Sequence, residues 1–136
     1  MDAQQAQKLK DAIAGCAAPY GIEFAALFGS RATGRVHAKS DTDIAIDSAR
    51  RLSPHDIASL SQDIAARVGY SAEVVDVRVA SPLLLRDAAR DGMLLYEKEP
   101  GAFERFRVYG YKRFMESKPL REIRRASLDR FLAKTV

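Results

Sequence analysis

Two short apolar runs with a polar break between them constrain this chain more than anything else in it. Phe24-Ala25-Ala26-Leu27-Phe28 stops at Gly29-Ser30, and Ile44-Ala45-Ile46 opens directly behind Asp41-Thr42-Asp43. The first run reads as a buried strand that ends where its side chains vanish. At such an end Gly29 lets a large anionic ligand approach the backbone closely. Ser30 adds a hydroxyl, and if a short helix starts there its free N–H groups make an anion site.

The carboxylates that open the second run are spaced for chemistry. Along a strand, side chains at i and i+2 point the same way, about 6.6 Å apart. Asp41 and Asp43 therefore share one face, and Ile44 and Ile46 enter a core on the other. Two carboxylates side by side repel unless a cation sits between them. Hard oxygen ligands suit Mg²⁺, which fills the rest of its shell with water and substrate phosphates. A third carboxylate follows in Val74-Val75-Asp76-Val77-Arg78-Val79. Here Val75, Val77 and Val79 read as the buried face, with Asp76 and Arg78 on the other. A carboxylate inside a valine strand is costly unless paired or metal-bound. Three such groups on adjacent strands could hold two metals about 3.5–4 Å apart. Arg78 could neutralise phosphate or pair with a carboxylate, and the sequence leaves both open. Asp47 shares the parity of Asp41 and Asp43 but lies at the far end, before Arg50-Arg51, and reads as a turn or cap residue.

Gly-Ser, a loop, D-x-D and a lone Asp on a following strand together resemble the nucleotidyltransferase superfamily that includes DNA polymerase beta. The short GSRATG…SDTDIAI form resembles its minimal nucleotidyltransferases, and the C-terminal tail resembles that of the MntA-type antitoxins among them. The motif match covers residues 22–79. The resemblance implies an α/β (α+β) nucleotidyltransferase fold, with a small mixed sheet, helices on one face, the metal site on the other and a helical C-terminal tail. It implies Gly29, Ser30 and Arg31 at the nucleotide phosphates. It also implies Asp41, Asp43 and Asp76 as catalytic residues and ligands of two Mg²⁺ ions, with ATP as substrate.

The rest of the chain frames that centre. Helical periodicity runs over residues 2–18, 53–68 and 81–91. The second of these helices is announced by Ser53-Pro54-His55-Asp56 and closed by Gly69, the third is announced by Ser81-Pro82. His37 and His55 read as solvated, Arg35 and Lys39 as ordinary loop residues, and Cys16 as a buried structural thiol. One cysteine and two histidines exclude an internal disulfide and a cysteine- or histidine-rich metal site. No apolar run is of membrane-span length, and residues 1–10 carry no signal-peptide core, so a cytoplasmic protein is expected.

The chain organises as a nucleotidyltransferase domain over residues 1–100 and a basic helical extension over 101–136, which together make one domain. Up to residue 100 there are 12 Lys and Arg against 14 Asp and Glu; beyond it there are 10 against 4. The basic character therefore belongs to the tail. Phe103, Phe106, Tyr109, Phe114 and Phe131 recur along it, and Pro119 splits it with Ser117 as a cap. A basic helix of this kind could touch nucleic acid, dock a partner protein, or present a solvated face; partner docking is the expectation.

At 136 residues a separate acceptor domain is not expected, and the acceptor is expected to bring its own surface. The resemblance implies transfer of AMP to a tyrosine of a small helical HEPN/HepT-type ribonuclease toxin, within a hetero-oligomer. Two other functions compete. One is a non-catalytic antitoxin that neutralises its partner by coverage alone, and the other is a small-molecule nucleotidyltransferase.

Overall fold

The computed structural model describes residues 2–29 and 42–135. The element order is α1 (Ala3–Tyr20), β1 (Ile22–Phe28), β2 (Thr42–Ser48), α2 (Pro54–Val68), β3 (Ala72–Asp76), α3 (Pro82–Asp91), β4 (Met93–Glu97), α4 (Ala102–Glu116) and α5 (Lys118–Thr135). Helix ends follow the local chemistry. Asp2 and Gln5 form a capping box at the start of α1, and Ser53 and Asp56 form one at the start of α2. Gly21 and Gly69 close the same two helices in the left-handed region, at φ 64° and 85°. Pro19 sits inside the last turn of α1, which runs two residues beyond the expected end.

The four strands form one mixed sheet in the order β3-β2-β1-β4. β1 runs antiparallel to β2 and β4, whereas β2 and β3 are parallel and joined through α2. One sheet face buries Ala25, Leu27, Ile44, Ile46 and Val74 against α1 and α2. The other buries Phe24, Ala26, Phe28 and Ala45 against Leu85, Ala88, Ala89, Phe103 and Phe106 of α3 and α4. The mixed sheet and the helical tail are as expected. The helices, however, lie on both faces rather than one. The apolar stripe of α3 and the aromatic stripe of α4 both need a cover, and the phenylalanines of β1 supply it.

Cys16 is buried in the first core, and burial pushes its thiol up from the ordinary range, as befits a structural residue. The α3–α4 crossing is close because Gly110 has no side chain. A Cβ there would stand 3.0 Å from the Leu85 carbonyl oxygen. The tail divides at Ser117 as the sequence predicts. Residues 118–134 of α5 are exposed except Arg121, which is half-buried.

Candidate active site

β1 delivers Gly29 and β2 delivers Asp43 to the same corner. Phe28 pairs with Asp43 across the antiparallel ladder, so the next residue, Gly29, turns beside it. Gly29 has φ 79°, a left-handed conformation that side chains rarely adopt. A Cβ built on it would stand 2.7 Å from Asp43 Oδ2. The missing side chain therefore lets the Asp43 carboxylate pack directly against the Gly29 backbone. Asp43 is half-buried and projects on the sheet face shared by Ala45, away from Ile44 and Ile46.

The third carboxylate is where the structure departs from the sequence reading. β2 and β3 are parallel with Asp43 opposite Glu73, Ala45 opposite Val75 and Ile46 opposite Asp76. Partners across a ladder project to the same face. Glu73 thus stands beside Asp43, one strand spacing of about 4.8 Å away. Asp76 takes the parity of Ile46 and points to the α2 side. There it lines a cavity of about 1040 Å³ with Arg51, Pro54, Ile57 and Val79. The expectation of Asp76 beside Asp41 and Asp43 is corrected: it lies three residues along the strand from Glu73 and on the opposite face.

Asp76 has a different occupation. It is 8% exposed, and its Oδ1 accepts the Arg78 backbone N–H at 3.0 Å. This is the local bond by which an Asp turns the chain two residues on. β3 accordingly ends at Asp76 instead of running on through Val79. Val77 donates to the Ile46 carbonyl and enters the second core, while Val79 is 83% exposed. The burial cost that suggested a metal is met by a backbone donor. Arg78 resolves toward the carboxylate: its Nε donates to Asp47 Oδ1 at 3.1 Å, and its Nη2 donates to the Ser48 carbonyl. Asp47 is thereby engaged at the far end of β2, away from Gly29.

Ser30, Arg31 and Asp41 lie outside the described residues, as do Arg35, His37 and Lys39. Among the described residues no group of three His, Cys, Asp or Glu side chains gathers as a metal site. Asp43 and Glu73 form a pair. Glu73 is exposed, and the sequence did carry a signal for it. Asp43 and Glu73 are each the second residue of their strand. Parallel strands that start level place such residues side by side. Two hard carboxylates beside a bare glycine backbone fit a magnesium–phosphate site.

Comparison with known proteins identifies relatives of this sequence and of this fold. The sequence matches the family described as Polymerase beta, Nucleotidyltransferase over residues 10–101, a span that holds Gly29, Asp43 and Glu73. It is 28% identical over 126 residues to the protein adenylyltransferase MntA of Aphanizomenon flos-aquae, covering 85% of this chain and 83% of that one. The fold superposes on a crystal structure of a toxin–antitoxin with AMP-PNP, with a TM-score of 0.73 at 26% identity, covering 90% of this chain and 98% of that chain. It also superposes on the structure of a tri-AMPylated Shewanella oneidensis HEPN toxin in complex with MNT antitoxin. There the TM-score is 0.70 at 24% identity, with 93% of this chain and 98% of that chain covered.

Proposed function

The chain belongs to the polymerase beta nucleotidyltransferase family, and on that premise we propose that it is a magnesium-dependent protein adenylyltransferase. Its substrate is ATP and its acceptor is a tyrosine hydroxyl of a small helical HEPN-type ribonuclease toxin, for which it acts as antitoxin in the cytoplasm. The observation that carries this reading is Asp43 beside Glu73 in the parallel ladder, with the Asp43 carboxylate against the Gly29 corner. The relative's name as an adenylyltransferase, the AMP-PNP in one neighbouring structure and the AMPylated toxin in another all favour it. Among the described residues no helix is long and apolar enough to cross a membrane.

The residues divide the work as follows. Asp43 and Glu73, with Asp41 from outside the described residues, would hold magnesium. When bound, the metal neutralises triphosphate charge and lowers the pKa of the attacking hydroxyl. Gly29, by lacking a side chain, leaves the Asp43 carboxylate its place at the end of β1. Ser30 and Arg31, also outside the described residues, take the β and γ phosphates. The acceptor oxygen bonds to the α-phosphorus while the bond from that phosphorus to the bridging β-phosphate oxygen breaks. Pyrophosphate leaves, and the hydroxyl proton passes to Glu73. Positioning and charge complementarity supply most of the acceleration in such a site.

The partner's docking surface in this reading is α5. Leu120, Ile123 and Leu128 are each more than half exposed, and Arg121, Arg124 and Arg125 lie among them. An apolar stripe edged by arginines suits an acidic amphipathic helix better than a nucleic-acid backbone, which would need no apolar stripe. The resulting assembly is a hetero-oligomer.

The test is direct. The protein is mixed with labelled ATP, Mg²⁺ and the toxin encoded beside it. Label on the toxin that disappears with Asp43→Asn supports the transferase. A tight complex with no label under any condition overturns it in favour of neutralisation by coverage. Label appearing on hydroxylated small molecules instead would reassign the acceptor.

A further inference from the structure

We propose that the joint between α4 and α5 is a positioning device. The ring of Phe114, held between the guanidinium groups of Arg86 and Arg121, fixes the direction in which α5 leaves the body. It thereby sets where the acceptor hydroxyl of a partner docked on α5 lands relative to Asp43. The consequence for transfer rests on the adenylyltransferase reading; the geometry of the joint does not.

The chain needs a device here because Lys118-Pro119 interrupts the helix. Pro119 has no N–H to continue the ladder, and such a break is a place where a helix can swing. The structure closes it with side chains. Ser117 Oγ donates to the Phe114 carbonyl at 2.6 Å, and Arg121 Nη2 donates to the same oxygen at 3.0 Å. Arg121 Nε donates to Ser117 Oγ at 2.9 Å. The Arg121 guanidinium carbon then lies 3.8 Å from the centre of the Phe114 ring, and that of Arg86 lies 4.8 Å from it. Cations over a ring face attract its quadrupole, and planar guanidinium groups stack there best.

Arg86 ties the joint to the body. It belongs to α3, where Asp87 holds its guanidinium at 2.8 Å. α3 is locked under α4 by the close Gly110 crossing and by Arg107 Nε on the Ala89 carbonyl at 2.9 Å. α3 also connects β3, the strand of Glu73, to β4. The docking helix is thus linked to the carboxylate strand through Arg121, Phe114, Arg86 and α3. Arg121 is also the one residue of 118–134 that is half-buried, the others being exposed.

The test separates the joint from mere stability. Spin labels are placed at Glu99→Cys and Asp129→Cys in a Cys16→Ala background, and the distance distribution is measured in the free protein. It is expected to be narrow in the parent and in Phe114→Tyr, which keeps the ring, and broad in Phe114→Leu and Arg121→Ala. In transfer assays with the full chain, Phe114→Leu, which lies outside the docking surface, should lose about tenfold in kcat, while ATP binding and toxin Kd move by less than about twofold. Unchanged distributions overturn the proposal. So do broadened distributions with unchanged transfer. If the parent transfers nothing to the toxin, the functional reading falls, whereas the distance measurement still decides whether the joint aims α5.

Discussion

Gly29 lies so close to the Asp43 carboxylate that a methyl group on its α-carbon would stand 2.7 Å from Oδ2. The strand end and the acid are thus fitted to each other, and the fit depends on the missing side chain. Gly29→Ala should displace Asp43 and strain a backbone at φ 79°. The expected result is a loss of transfer on the order of 10²-fold, with a stability cost of about 1 kcal/mol. Steady-state label transfer beside a thermal melt separates the two effects.

Asp76 is a structural acid in this account. Removing its side chain with Asp76→Ala leaves the Arg78 N–H without the acceptor seen at 3.0 Å. The cost should be about 1–3 kcal/mol, read by urea denaturation. Asp76→Asn keeps an acceptor oxygen and should recover most of that loss.

Gly110 marks a close contact between α3 and α4. A Cβ there would meet the Leu85 carbonyl oxygen at 3.0 Å and the Ala89 methyl at 3.1 Å. Gly110→Leu should therefore force α3 and α4 apart and destabilise the fold by about 1–3 kcal/mol. Gly69→Asn is the contrasting control, since nothing lies within 4 Å of a Cβ there and Asn tolerates the left-handed region. Melting temperatures of the two variants should differ clearly.

The start of α2 should loosen in acid. The Asp56 carboxylate accepts the Ser53 backbone N–H, with help from Arg50, and this holds its pKa below the ordinary 3.8. A carboxylate depressed in the folded state contributes stability above its unfolded pKa and loses it as pH falls through the folded one. Asp56→Asn should lower the melting temperature at neutral pH, and the gap to the parent should shrink below about pH 4. A gap that is the same at both pH values would contradict this.

What the sequence revealed and what it hid have physical reasons. Caps are written in adjacent residues, so Ser53-Pro54 and Gly69 placed α2 within a residue. The Gly29 corner and the Asp43 parity were legible because each belongs to one strand and the residue beside it. The third carboxylate was not, because it depends on the register between β2 and β3, strands separated by a whole helix. The valine run drew attention to Asp76, whose burial is real but is answered by the Arg78 N–H. Glu73 sat in plain view as the second residue of its strand, yet an exposed glutamate carries no burial signal. The second helical layer was hidden for a similar reason. The apolar stripe of α3 states that it must be covered, and only the fold states by which face.

The pairing of Asp43 with Glu73 is the claim on which the account stands, and single-turnover transfer from labelled ATP to the toxin tests it most directly. Glu73→Gln and Asp76→Asn are compared at matched folded fractions. Glu73→Gln is expected to lose about 10²-fold or more with an unchanged melting temperature, and Asp76→Asn to transfer nearly as well as the parent. Full activity in Glu73→Gln together with a dead but folded Asp76→Asn would contradict it.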